Sequence, residues 1–229
     1  VDPLPTDYGV VYADVRTRLT ELASTLDVAA LAARVPATPE WTVKDAVGHV
    51  VGIVADLSNG NLEGLGSEPW TATQVEARRA TPIAEVLAEW AEKAPPIEAT
   101  LSGAPLELAG ALIGDLACHD FDVRGALTNT EGRDSDATRV ALETYTHTLA
   151  GRVRDAGLPS VALDVPGFSF GAGDDEPAAT VRGTPFELLR ALTGRRSAEQ
   201  IRALDWSGDA EPYLAVFAAY PMRQAPLDE

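Results

Sequence analysis

What the chain lacks narrows its function before anything in it is read. It has one cysteine, Cys118, so no disulfide can form within it, and a disulfide-stapled secreted scaffold is excluded. No apolar run approaches the roughly 18 residues of a membrane-spanning helix. Cations are scarce: Lys44 and Lys93 are the only lysines, and 18 basic residues face 35 acidic ones for a formal charge of −17. With no compensating run of Lys and Arg, that charge repels phosphate backbones and anionic lipid faces, so neither nucleic acid nor a membrane is an expected partner. The opening residues, Val1-Asp2-Pro3-Leu4-Pro5, have neither the charged nor the apolar region of a signal peptide. The protein is therefore expected in the cytoplasm, and the missing initiator Met suggests trimming or a start codon read literally. Gly-rich phosphate loops, a Ser-centred nucleophile elbow, Cys-rich zinc motifs, internal repeats and low-complexity segments are also missing.

What is present has the balance of a soluble globular protein, with 45% apolar and 23% charged residues. Its 229 residues suffice for one large domain or two small ones. The character changes near residue 157. Before it, apolar residues recur at spacings of three and four, which predicts long helices. The first runs over 7–26 with Val11, Val15, Leu19, Leu22 and Leu26 on one stripe. The second starts at Thr42, an N-cap with Asp45 three residues later, and stops before Asn59-Gly60. A Gly- and Trp-containing loop is expected over 61–73. The next helix opens at Thr81-Pro82 and is expected to end or break at Pro95-Pro96. Two more follow over 106–127 and 136–156, the last closed by Gly157. The pattern predicts an antiparallel bundle over 1–157.

The remaining 158–229 read as a small α+β domain. Val161-Ala-Leu-Asp-Val165 and Ala179-Thr-Val-Arg182 are strand candidates. Thr184-Pro-Phe-Glu187 and Ser197-Ala-Glu-Gln200 have the form of capping boxes that start short helices.

Three histidines allow each to be weighed alone. Asp115 and His119 are four apart, so both project from one helical face. His49, mid-helix among apolar neighbours, would complete a two-His, one-carboxylate set. Catalytic zinc sites use that set and leave the fourth position for water or substrate. Nickel or iron would accept the same ligands. The plain reading competes: a His on an apolar face is commonly a hydrogen-bonded core residue, and an Asp/His pair at this spacing is commonly a surface pair. His147 has only Glu143 at helical spacing and reads as surface or packing. Cys118 points about 100° away from His119 and reads as a small buried hydrophobe. Asp45 reads as a cap rather than a ligand, and Asp122 as an orienting group for a ligand or a partner of Arg124.

Trp41-Thr-Val-Lys-Asp45-Ala-Val-Gly-His49 resembles the W-T-V-x-D-x-x-x-H segment of the mycothiol-dependent maleylpyruvate isomerase family. His119-Asp-Phe-Asp122-Val-Arg124-Gly-Ala126-Leu127 is similar to its H-x-x-D-x-R-x-A-L signature. Two later stretches, Val181 to Ser197 and Ala203 to Asp209, match in order as well, so the resemblance covers nearly the whole chain. It implies a DinB-like helical bundle carrying a divalent metal, with a small C-terminal α+β domain, and mycothiol, a low-molecular-weight thiol, as cofactor. His49 and His119 fall on the family's two His ligands and Asp115 on its carboxylate ligand. The isomerase itself carries Glu there; the shorter Asp requires the metal to sit closer to that helix.

The resemblance implies a metal, expected to be zinc, that takes the thiol as thiolate. Its sulfur attacks a small electrophile, giving isomerisation about a cis double bond or release of an S-transfer adduct. A substrate carboxylate would be received by an Arg, with Arg195, Arg196 and Arg223 as candidates if the C-terminal module closes over the metal, or Arg124 beside the site in sequence. The competing class is a metal- or small-ligand-binding protein without turnover, and a third is a hydrolase using metal-bound water. Either way the partners are small molecules, and the chain is a monomer or homodimer.

Overall fold

In the computed structural model, which describes residues 6–173 and 175–229, Asp7 opens the first helix, α1 (Tyr8–Thr25), by accepting from the backbone N–H groups of Gly9 and Val10. Residues 1–5, read above for a leader, lie outside the described part. Val11, Val15 and Leu19 of the expected stripe are buried, and the stripe becomes half-exposed at Leu22 and Leu26. A single helical turn, α2 (Val28–Leu31), and an antiparallel pair, β1 (Arg34–Val35) and β2 (Thr38–Thr42), follow. The pair delivers the chain to α3 (Val43–Asn59), where Thr42 and Asp45 form a reciprocal capping box and Gly60 ends the helix at φ 72°. Every residue from Asp45 to Ala55 is buried, so α3 is surrounded on nearly all sides.

Helices α5 (Ile83–Leu101) and α6 (Leu106–Ala126) complete the bundle: α1 and α3 each pack against both of them. A further helix, α4 (Glu68–Arg79), lies on α3. Much of it falls in the expected loop. Its signals were present, however: Ser67 caps Trp70 N, Pro69 sits in the first turn, and Arg78 and Arg79 close the last. Pro95 and Pro96 do not end α5, although each lacks the N–H that the helix ladder uses. Packing on α1 holds the turn beyond them. Arg16 Nε bonds Glu98 Oε1 at 2.6 Å, Leu101 is buried, and Gly9 lies so close that an added Cβ would be 2.2 Å from the Glu98 carbonyl oxygen. Thr81 is not the cap of α5; Pro82 occupies that position without a side-chain bond.

Contacts divide the chain into two compact units, Val1–Glu131 and Gly132–Glu229. The break in sequence character near residue 157 marks the end of the helical run, whereas packing puts the division before α7 (Asp136–Asp155). The reason is local. The buried face of α7, with Ala137, Ala141, Leu149 and Val153, packs within the second unit.

That unit contains a four-stranded sheet in the order β4 (Phe168–Ala172), β3 (Val161–Val165), β5 (Ala179–Arg182), β6 (Asp205–Ser207), parallel only between β3 and β5. Helix α8 (Pro185–Leu192) and strand β4 pack on α7. Ser197 and Gln200 form the full capping box of α9 (Ala198–Arg202), and α10 (Glu211–Phe217) follows β6. Thr184 caps α8 through Glu187 N only, because the Glu187 carboxylate is drawn to Arg196 at 2.9 and 3.0 Å. Among the described residues no helix is long and apolar enough to cross a membrane.

Candidate metal centre

His49 stands on α3, and Asp115 and His119 on α6, so contact between these two helices assembles what neither carries alone. One ligand atom from each residue lies within 4.8 Å of the others. His49 Nε2 is 3.7 Å from Asp115 Oδ2, and His119 Nε2 is 3.7 Å from Asp115 Oδ1. Both distances are too long for hydrogen bonds. Tetrahedral zinc ligands at 2.0–2.1 Å would be separated by roughly 3.4 Å, so each histidine needs to approach the carboxylate by only a few tenths of an ångström, while a donor set spanning up to 4.8 Å needs to contract by more than about an ångström at its widest.

The ring protons can be assigned from their neighbours. Gln74 Nε2 donates to Asp56 Oδ2 at 2.8 Å, which fixes the amide orientation and leaves Gln74 Oε1 as an acceptor. That oxygen is 2.8 Å from His49 Nδ1, so Nδ1 carries the proton and the Nε2 lone pair faces Asp115. On α6, His119 Nδ1 is 3.0 Å from Oδ2 of the fully buried Asp122. The approach lies off the hydrogen-bond line, yet the carboxylate's charge places the proton on Nδ1 here too. Two imidazole lone pairs and a carboxylate thus converge, the arrangement a divalent cation converts from mutual repulsion into ligation. The donor set fits the implied metal.

Gln74 reaches His49 because α3 carries glycine on the face that meets α4. A Cβ on Gly52 would come within 2.5 Å of Gln74 Cβ, and one on Gly48 within 3.3 Å of Arg78 Cβ. The wall of the site is Trp41 from β2. Its ring centroid lies 5.0 Å from His49 and 5.4 Å from His119, and the two imidazoles meet edge-on at 4.9 Å. Burial pushes the Tyr12 hydroxyl pKa upward; Trp90 Nε1, 3.3 Å away, lowers it and the charges of Glu98 and Asp115 add to the rise, so it stays neutral. Side-chain exposure is 4% for His49 and 9% for His119 but 32% for Asp115, so the cluster meets solvent on the Asp115 side.

The other expected site residues have contacts of their own within their units. Arg124 is buried, and its guanidinium bonds Asp120 at 2.9 Å, Asn129 at 3.1 Å and Glu131 at 2.9 Å. Burial pushes the Asp120 carboxyl up to about 6 against the pull of Arg124. Asp122, the alternative partner of Arg124, turns to His119 instead. Arg195 belongs to the second unit, where its Nη1 donates to Thr193 O at 2.8 Å and its guanidinium lies 6.0 Å from the Tyr220 ring centroid. Arg196 is held by Glu187 and Glu229. Cys118 is buried, His147 is exposed, and Asp45 serves its cap and Arg79. Sequence reasoning missed Gln74 and gave Trp41 no role. Trp41 sat in plain view in the first motif, whereas nothing local in the chain points Gln74 at His49.

Residues 12–150 match the family described as the mycothiol maleylpyruvate isomerase N-terminal domain. Two solved structures are similar. One is a histidine-to-alanine mutant of the mycothiol-dependent maleylpyruvate isomerase, at 11% identity and TM-score 0.57. The other is the mycothiol-dependent maleylpyruvate isomerase, at 13% identity and TM-score 0.50. Each alignment covers 82% of this chain and 88% of the other. At such identity the likeness establishes the fold, mainly α, with a DinB-like helical bundle and a small α+β part. No curated protein matches.

Proposed function

Because this chain belongs to the mycothiol maleylpyruvate isomerase family, we propose that it is a metal- and mycothiol-dependent enzyme that isomerises, or transfers sulfur to, a small electrophilic substrate. The observation that carries the reading is the convergence of His49 Nε2, His119 Nε2 and the Asp115 carboxylate, with His49 Nδ1 bonded to Gln74 and His119 Nδ1 beside the Asp122 carboxylate. A divalent ion, with zinc favoured by the N and O donors, would be held by these three and would supply a lowered pKa for a thiol reaching it.

The chain's own groups do the rest. Gln74 and Asp122 hold the two imidazoles in the tautomer that presents Nε2. The Trp41 ring covers the histidine pair and excludes water from that side. The one-third exposure of the Asp115 side chain supports access for a thiol from that side. Arg124 is committed to Asp120, Asn129 and Glu131, so we assign it the architecture of α6 rather than contact with substrate.

Metal content by mass spectrometry, on protein purified without chelators or a His tag, tests the reading first. About one divalent ion per chain is expected, with loss in His49→Ala. Substrate turnover by the loaded protein should then require mycothiol. No metal after reconstitution would sink the proposal. Bound metal without thiol-dependent turnover would instead support a binding protein on this fold.

A further inference from the structure

The N-terminal unit contains a cavity of about 700 Å³ that includes none of the three metal-site residues. Its size is that of pockets for small organic ligands. Strand alternation separates the two places: Trp41 turns to the histidines, while its neighbours Glu40 and Thr42 line the cavity.

Two features of the lining call for an occupant. The first is apolar. Val28 and Leu31 of α2 and Ile83 of α5 contribute to it, and α2, whose sequence is Val-Ala-Ala-Leu, buries none of its residues. Val28 is 84% exposed. An apolar turn left uncovered beside a cavity gains by burying that surface against a ligand.

The second is charge. In a chain with 35 acidic residues to 18 basic, this lining reverses the balance: Arg34, Lys44 and Arg79 against Glu40 and Asp45. Arg79 is spent on Asp45 and Glu76. Lys44 Nζ donates to the Arg79 carbonyl at 2.7 Å and Arg34 Nη1 to the Glu40 carbonyl at 2.8 Å. Neither makes an ion pair with a carboxylate among the described residues. Carbonyls position these cations without neutralising them.

We propose that this cavity is a second small-molecule site, which takes an amphipathic monocarboxylate: an apolar body against α2 and Ile83, and a carboxylate between Lys44 and Arg34. The cationic excess of one selects a single negative charge, since the Glu40 and Asp45 carboxylates oppose a second.

Calorimetric titration with naphthoate, on metal-stripped and metal-loaded protein, tests this independently of the metal centre. Saturable binding is expected in both forms and in His49→Ala, with the uncharged naphthamide weaker by roughly tenfold. Lys44→Gln and Arg34→Gln should each weaken naphthoate by about fivefold or more at unchanged melting temperature, and Leu31→Asp should weaken it too. The proposal is overturned by no binding, by equal binding of the amide, by indifference to the Lys44 and Arg34 changes, or by loss of binding in His49→Ala. That last result would place the carboxylate at the metal.

Discussion

At His49 the ring proton is placed by a relay of three side chains, Asp56 to Gln74 to imidazole, with 2.8 Å at each step. Replacing Gln74 by Leu keeps the volume and removes the acceptor, so Nδ1 loses its partner and the presenting tautomer its advantage. Zinc affinity should fall roughly 10- to 100-fold in competition titrations; an unchanged affinity would assign Gln74 to packing alone. Asp45 gives a second test at this scale. Burial works to raise its pKa, but the bonds from Thr42 and Arg79 outweigh it and hold the carboxyl below its usual 3.8. A depressed carboxylate adds stability above its unfolded pKa and loses it as pH falls through the folded one. In metal-stripped protein, Asp45→Ala should therefore cost about 1 kcal/mol at neutral pH in urea unfolding, and the gap should shrink below roughly pH 4. A gap that stayed constant through acid would break the link to ionisation. Both the ligand set and the cap were legible in the sequence, because each depends on spacing within one helix or on a recognisable motif. The partners of Arg124 and Asp122 were not, since two acids two residues apart, Asp120 and Asp122, can be assigned only once their surroundings are packed.

Helix α4 shows what the element scale adds. It lies on the Gly48–Gly52 face of α3, and a Cβ at Gly52 would press on the Gln74 side chain at its root, 2.5 Å from Cβ, where it cannot swing away. Gly52→Ala should therefore shift α4, costing about 1–3 kcal/mol against a gain of about 1 kcal/mol in helix propensity, and should weaken metal binding along with stability. Gly48→Ala meets Arg78 only at 3.3 Å and should be nearly neutral by the same thermal and metal assays. Equal effects at the two glycines would contradict the packing account. The loop expected over 61–73 went astray because its Gly and Trp outweighed a capped start at Ser67. The break expected at Pro95-Pro96 went astray for the opposite reason. The local cost of proline was read correctly, and tertiary contacts of α5 with α1 exceed it.

For the whole molecule the dominant quantity is the charge of −17, since 35 acidic groups face only 18 basic ones. Screening that self-repulsion should raise the melting temperature by a few degrees between about 0.02 and 0.5 M NaCl at neutral pH. A fall would mean that ion pairs such as Arg202–Glu211 and Arg18–Asp14 contribute more than repulsion removes. The excess charge also gives the cationic lining near α2 its meaning, because in such a chain an unneutralised Lys and Arg are conspicuous.

The sequence by itself determined most of the long helices and several of their caps, the mainly α class, the family and the candidate donor residues His49, Asp115 and His119. All of these are written in short-range periodicity or in motifs that keep their order. The tertiary structure decided which helices share a core, with α7 packing in the second unit, and which side chains stand behind the histidines. It also decided that Arg124 faces Asp120, Asn129 and Glu131. Those outcomes depend on contacts between residues far apart in the chain, and no local pattern encodes the approach of one helix face to another.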